Sequence, residues 1–405
     1  MKKKLFFFTA SFPFGVGENW KLNELDAFAK KFELVTIIPF SYSGNTVPIN
    51  LPYNNVIVCK PIMANNERLR NNIFTTFFNN RFYQYLQLFL KENAFFSVVR
   101  CINWATACFQ ANCTFKHYMV KQILNNEHEN SVAYFFWGCE SAYCIPFLPK
   151  NTFSHIHVRY NGYDLYEERQ NGYIPFRHNQ LKKINTAMPI SENGKQYLIK
   201  KYPAFKHKIQ KRIIGTKAIG NAIISTDNTL RIISCSNLIP LKRVEIIVAA
   251  LMKINFDVHW IHIGGGQLQT VIETACKKLP PNIKWHITGK IAPNEVYNYY
   301  LNKQVDIFLN VSETEGLPVS IMEALSFGVP IFATNVGGTN ELVNNNTGKL
   351  LAKDITPQAL ATDLLLFYNL PIAAKLQLRK NATTYFKTEC DATLLANNLC
   401  SYFLQ

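Results

Sequence analysis

Acidic residues are scarce in this sequence. Lys and Arg number 43 against 27 Asp and Glu, which gives a formal charge of +16, yet charged residues make up only 17% of the 405. A balance this basic suits an anionic partner: a membrane surface, a phosphorylated substrate or a nucleic acid. No Asp-x-Asp pair occurs. None of the ten cysteines forms a Cys-x-x-Cys pair, and their scatter fits neither a disulfide framework nor a zinc site. Free thiols in a reducing cytosol are the simple reading. No apolar run reaches the roughly eighteen residues of a membrane span. No short-period repeat appears either, which excludes a solenoid. The start, MKKKLFFFTASFPF, has the basic end and apolar run of a signal peptide. Pro13 and Gly15 break that run early, and no small-x-small cleavage site follows. It reads better as a buried first strand entering a loop.

Hydrophobic residues supply 48% of the chain, and its length exceeds one ordinary core, so two domains are expected. In the first half, KLFFFTAS reads as a strand, FPFGVGEN as a glycine turn, WKLNELDAFAKKF as an amphipathic helix and FELVTIIPF as the next strand. That is a βαβ unit, which predicts a parallel sheet. Residues 66–125 are aromatic-rich and expected to be helical, with SVAYFFWG and HIHVRYNG as further strands. The second half alternates more plainly, from LRIISCSN through DVHWIHIGGG, NIKWHITG and VDIFLNVS to PIFATNVGG, each followed by a helical pattern or a turn. The prediction is two doubly wound α/β domains, with ligands beyond the carboxyl ends of the strands. The boundary is placed in residues 210–229, after a basic stretch.

One segment concentrates chemistry. In ETEGLPVSIMEALSFGVPIFATNVGG, residues 313–338, Glu315 follows a buried strand and Glu323 lies within the next helix, seven residues intervening. Gly316 lets a ligand approach the backbone, and Pro318 suits a helix start, where its missing N–H costs nothing. Amides at that start face phosphate or sugar oxygens well. Two such carboxylates can grip different hydroxyls of one extended ligand. His259 and His262, on a buried strand, read as core rather than metal ligands.

The run SETEGLPVSIMEALSFGVPIFATNVGGTNELV resembles the signature of retaining family 4 glycosyltransferases of the GT-B fold, in which two glutamates flank seven residues before a Gly-Gly-x-x-Glu turn. The resemblance is strongest over residues 231–350. It implies transfer of a sugar from a nucleotide donor, UDP- or GDP-linked, with retention and without a metal or other cofactor. By that likeness Glu315 contacts the donor sugar, Glu323 the ribose, and the amides around Gly316 and Leu317 the sugar and phosphate oxygens. Glu341 matches the acid after the Gly-Gly turn. SCSNLIPLKRVE resembles the diphosphate segment. Lys242 matches its lysine, while Asn237 stands where the family keeps an arginine, with Arg243 as a candidate substitute. Gly264, Gly265 and Gly266 end a strand near the nucleotide, and Thr288, Gly289 and Lys290 match the segment whose backbone reads the base.

In the first half, FPFGVGENW resembles the family's glycine loop, so Gly15 and Gly17 are candidates for close approach to the donor diphosphate or the acceptor. VRYNGYDLYEER resembles a family segment through Arg159, Gly162, Tyr163 and Asp164, with Asn161 in the histidine position. Asparagine can hydrogen-bond there but cannot titrate. Ser191 and Glu192 fall in a following family segment. The implied architecture is GT-B: α/β, two Rossmann-like doubly wound domains facing across a cleft. Residues 1–215 bind the acceptor, 216–385 hold the nucleotide sugar, and a helix in 386–405 crosses back. Glu315, Lys242 and Asn161 are the catalytic candidates.

The basic run 195–212, and Arg68, Arg70, Arg81, Lys91 and Arg100 among Phe77, Phe78, Phe82 and Tyr85, suit an anionic bilayer or a lipid-diphosphate acceptor. Nucleic acid is not expected. The expected partners are therefore a nucleotide sugar and a glycan or lipid-linked acceptor, with the enzyme cytoplasmic or peripheral on the inner face of the cell membrane. A nucleotide-sugar epimerase and a non-catalytic binding homologue stay open as alternatives.

Overall fold

The computed structural model describes residues 3–15, 18–42, 44, 46–64, 75–77, 79–125 and 130–405. The chain divides into two units, Met1–Ile213 with Ala396–Gln405, and Ile214–Leu395. Each is built on one six-stranded parallel sheet.

In the first unit the strands are β1 Lys4–Thr9, β2 Leu34–Pro39, β3 Val56–Val58, β4 Ser131–Phe135, β5 His155–Tyr160 and β6 Thr186–Pro189. Their order is β3-β2-β1-β4-β5-β6. In the second unit they are β7 Leu230–Cys235, β8 Val258–Ile263, β9 Ile283–Ile287, β10 Ile307–Asn310, β11 Ile331–Thr334 and β12 Gly348–Leu351. The order β12-β11-β10-β7-β8-β9 repeats the first. Both orders reverse once, between β1 and β4 and between β7 and β10. Switch points of this kind open a crevice at the carboxyl ends of the strands.

The cores differ in substance. Strands covered on both faces by helices read as apolar runs. In the first unit the runs are aromatic: paired Phe7 and Tyr134 stack at 5.1 Å between ring centroids, and Phe8 and Phe135 at 4.2 Å. In the second they are aliphatic, with Ile232, Ile307, Leu309 and Leu230 in one buried cluster around Trp260. The helix Ala392–Leu404 begins in the second unit and ends in the first. There Phe403 stacks on His157 at 4.4 Å, and its carbonyl accepts from Lys3 Nζ at 3.3 Å. The return to the first unit thus begins at Ala396, inside this helix, and residues 386–395 pack in the second.

The βαβ reading of the first half and the alternation of the second match the elements observed, and all ten cysteines are free. Strands β3, β6 and β12 were not foreseen. Each has three or four residues, too few to set an alternation against the flanking turns. No single helix among the described residues is long and apolar enough to cross a membrane.

Candidate functional site

The carboxyl ends of β7, β8 and β10 enclose a cavity of about 430 Å³. Asn237 and Lys242 line it from the segment after β7, Gly264 and Gly265 from the turn after β8, and Lys290 from beyond β9. Glu315, Leu317 and Ser320 line it from the loop and helix after β10. This is the β7/β10 switch point, so the topology alone gathers these distant residues.

Glu315 is the centre of the polar side. Its Oε1 accepts from Lys242 Nζ at 2.6 Å and from Asn310 Nδ2 at 3.1 Å. Among the described residues, Oε2 has no hydrogen-bond donor. An ammonium carries three donors, so Lys242 can hold Glu315 and still serve an anionic oxygen. The loop that carries Glu315 rests on the Gly-Gly turn after β11. Gly338 N donates to Gly316 O at 2.8 Å. Gly337 sits at φ +54°, where a Cβ would collide with the Glu315 carbonyl, so the turn tolerates only glycine there. Gly316 is the opposite case. A Cβ on it would meet nothing within 4 Å, so no atom of the described residues explains its glycine.

The helix Val319–Ser326 starts at Pro318 and places Glu323 one turn beyond the lining residues Val319 and Ser320, on their face. Burial raises the Glu323 carboxyl to about 7, only partly offset by the hydroxyl of Tyr297, which donates to Oε1 at 3.3 Å. Cys235, a lining residue, is pushed up to about 12 by burial, with the Glu323 charge adding to it.

The glycine turns divide by role. Gly264 and Gly265 both line the cavity, and Gly264 and Gly266 lie so close to the Ser236 and Leu238 carbonyls that side chains would not fit. Gly289 stands at the bend after β9, bridged to Gly264, and Thr288 Oγ1 accepts from Gly264 N at 3.3 Å.

Arg243 requires a correction. Its guanidinium donates to the carbonyls of Val311, Ser312 and Lys353 at 2.8, 3.2 and 2.7 Å. It fastens the exit of β10 and does not line the cavity, so it is no substitute for the missing arginine. Glu341 lies past the Gly-Gly turn, its carbonyl accepting from Tyr385 Oη. His262 is fully buried between Ser234 Oγ and the Ser236 carbonyl, as the core reading expected.

The first-half candidates lie in the other unit, and several are packed inward. Asn161 is buried, its Nδ2 donating to Phe136 O at 3.2 Å. Arg159 and Asp164 are both buried, each with other partners. Arg159 NH2 meets Glu24 Oε1 at 2.6 Å and Nε donates to Tyr134 Oη at 2.6 Å. Asp164 accepts from Gly138 N and Asn161 N at 2.6 and 2.8 Å. Tyr163 is exposed, and Gly162 lies against Arg169. Ser191 caps the helix Glu192–Lys201 by accepting from Gly194 N at 3.0 Å. Gly15 is buried with φ +80°, and Gly17 lies outside the described residues, as do Arg68, Arg70 and Phe78. The basic run 195–212 is partly spent within the unit: Lys208 Nζ donates to three carbonyls at the end of the helix Arg177–Lys183.

Sequence reading missed three residues here. Asn310 and Tyr297 steady the two glutamates, and no spacing rule marks either. Glu140 follows β4 at the first unit's switch point, with φ +54°, and burial lifts its carboxyl to about 7 against the pull of Lys21. A non-glycine residue in that conformation leaves no mark in the sequence.

The structural neighbours decide the fold. The lipopolysaccharide outer core galactosyltransferase WaaB superposes over 98% of this chain and 99% of its own, with a TM-score of 0.68 at 12% identity. The fold is GT-B. Another GT-B neighbour, HepE of Anabaena in complex with UDP, covers 98% of this chain and 99% of its own, with a TM-score of 0.62 at 14% identity. Residues 219–385 match the family model described as glycosyl transferases group 1. The match and the GT-B fold together support that family. The amylovoran biosynthesis glycosyltransferase AmsK of Erwinia amylovora is 35% identical over 109 residues, 25% of this chain and 26% of that protein. Four curated relatives align over only 20% to 26% of their own lengths.

Proposed function

We propose that this GT-B protein is a retaining, metal-independent glycosyltransferase of cell-surface polysaccharide biosynthesis, such as capsule or lipopolysaccharide. It takes a UDP- or GDP-linked sugar in the β7/β10 cavity and passes the sugar to a glycan or lipid-linked acceptor. It works in the cytoplasm. The observation that carries the reading is the Lys242–Glu315 pair beside Gly316, a glycine that packing leaves unexplained. The group 1 match and relatives named for O-antigen and amylovoran synthesis support it.

The residues divide the donor between them. Lys242 and the amides that open the helix Val319–Ser326 face the diphosphate, whose charge grows as the glycosidic bond breaks. Preorganised donors aimed at developing charge are the largest single contribution to such a step. Glu315 offers the free Oε2 to a sugar hydroxyl while Lys242 and Asn310 hold Oε1. Glu323, ionised, accepts from the ribose. Retention follows front-face departure: the leaving diphosphate stays beside the incoming hydroxyl and takes its proton.

Incubation with a panel of nucleotide sugars and a polyprenyl-linked glycan tests this. Acceptor-dependent nucleotide release with an α-configured product from an α-donor is the expected result. An isomerised donor without release would mean an epimerase. Binding without turnover would mean a sugar-nucleotide-binding homologue.

A further inference from the structure

The helix Phe82–Lys91, the short turn Ala94–Phe96 and the start of the helix Val98–Lys116 form a hairpin in the first unit. The first helix is apolar on two faces. Tyr85, Leu88 and Phe89 turn inward, with Tyr85 against Phe147 at 4.7 Å and Phe89 against Trp104 at 4.7 Å. Tyr83, Leu86 and Leu90 occupy the opposite face and are exposed. The tip continues that face with Phe96 at 73% exposure, Val98 at 76% and Ile102 at 59%. An amphipathic helix needs one apolar stripe to join a core, and this hairpin has a second. Contiguous exposed apolar surface of this kind marks an interaction site.

The charge around the face selects the partner. Glu92 is the only acid between residues 79 and 105, and it is turned inward, accepting from Tyr173 Oη at 2.6 Å and Phe176 N at 3.0 Å. Lys91 is exposed at the end of the first helix. Lys91 and Lys182 both lie near enough to act on His178, which sets two cations beside the hairpin. A second copy of this chain would set like charges against each other across the interface. An apolar face edged by cations, whose own segment turns no acid outward, suits anionic lipid headgroups over an acyl layer.

We propose that this hairpin is a bilayer-docking surface, with Tyr83, Leu90, Phe96, Val98 and Ile102 entering the headgroup layer and Lys91 and Lys182 meeting anionic lipid. The aromatics that suggested a membrane in the sequence do not perform this role: Tyr85 is fully buried, and Phe77 and Phe82 are half-buried against each other. The outward residues are different ones, and only the structure separates the two sets.

Sedimentation of the full chain with vesicles tests the surface without any donor or acceptor, so it stands apart from the transfer reading. The protein should sediment with phosphatidylcholine vesicles containing about 30 mol% phosphatidylglycerol and roughly tenfold less with phosphatidylcholine alone. The double variant Phe96→Asp, Val98→Asp should lose about tenfold in binding, with unchanged circular dichroism and melting temperature. Lys91→Glu with Lys182→Glu should abolish the preference for anionic vesicles. The proposal is overturned if the unaltered protein stays in solution with the anionic vesicles, or if the Asp variant binds them equally well. It is also overturned if sedimentation velocity finds a dimer that the Asp variant dissociates, which would make the face a self-association surface.

Discussion

The two units share one strand order and treat charge at their strand ends in opposite ways. In the second, the charged groups at the switch point border a cavity, and Glu315 keeps one oxygen open to it. In the first, Glu18, Lys21, Glu24, Arg159, Asp164 and Arg177 are all buried. Glu18 Oε2 accepts from Ser11 N and Phe12 N at 2.8 and 2.7 Å, and Oε1 takes Lys21 and Trp137. Lys21 lies 4.1 Å from the centre of the Phe136 ring, and burial lowers its pKa well below the usual value. A charged residue after a strand therefore says little about ligands until its hydrogen bonds are counted. In one unit the carboxylates hold loops together; in the other one of them waits with spare capacity.

The largest test of this difference is Arg159→Ala. It strands Glu24 in the interior, and breaking a buried pair from one side costs roughly 3–5 kcal/mol. Urea denaturation should show that loss through a lower midpoint at unchanged slope. An unchanged midpoint would mean that the first network is as open as the second.

Lys242→Ala should do the reverse. The pair with Glu315 is partly exposed, so stability should fall by less than about 1 kcal/mol. Nucleotide affinity measured by calorimetry should fall roughly 10- to 100-fold, as expected for a lost charge-assisted contact. A large stability loss with intact affinity would place Lys242 in the structural class.

The third prediction concerns pH. The Glu323 carboxyl rises from 4.5 to about 7 on folding. The folded protein then holds a proton that the unfolded chain has released, so stability falls as pH rises from about 4.5 to 7. The loss is roughly 1–3 kcal/mol and should be absent in Glu323→Gln, read as the difference between their melting curves at pH 5 and 8. Nucleotide binding should run the other way. It should tighten through pH 7 as the carboxylate forms, and the Gln variant should bind weakly and without that dependence.

Gly316→Ala should leave the melting temperature unchanged and, on the proposed donor reading, weaken nucleotide binding about tenfold, because its Cβ would occupy open space beside Glu315. Equal binding by this variant would remove the main support for the donor site. The smallest expected effect is Asn237→Arg, which adds a guanidinium to the cavity wall. It should improve nucleotide affinity a few-fold, by less than about 1 kcal/mol at an exposed position.

The second unit was legible because its signals are local. Glu315, Gly316, Pro318 and Glu323 sit on one strand-turn-helix, and the spacing that reveals them is the spacing that builds the site. Arg243 was misread because its role depends on carbonyls 68 to 110 residues away. The first unit's network was illegible for the same reason: Glu24 and Arg159 are 135 residues apart. In the sequence, Glu24 reads as the polar side of an amphipathic helix. The hairpin posed a different difficulty. When both faces of a helix are apolar, periodicity cannot tell which one the core takes.

The return of residues 396–405 bears on how the protein is made. Phe403 lies against His157 at 4.4 Å, Tyr134 at 5.1 Å and Phe28 at 5.9 Å, so it belongs to the first unit's aromatic core. The ribosome emits those residues only after the entire second unit. Domains usually fold as they emerge, from the N-terminal end. Here the first domain to be translated is the last that can be completed, and its phenylalanine-rich interior stays unsealed until synthesis reaches residue 403. Truncation within the final ten residues should therefore yield an aggregating first unit beside an intact second, a failure visible in the soluble yield before any assay of transfer.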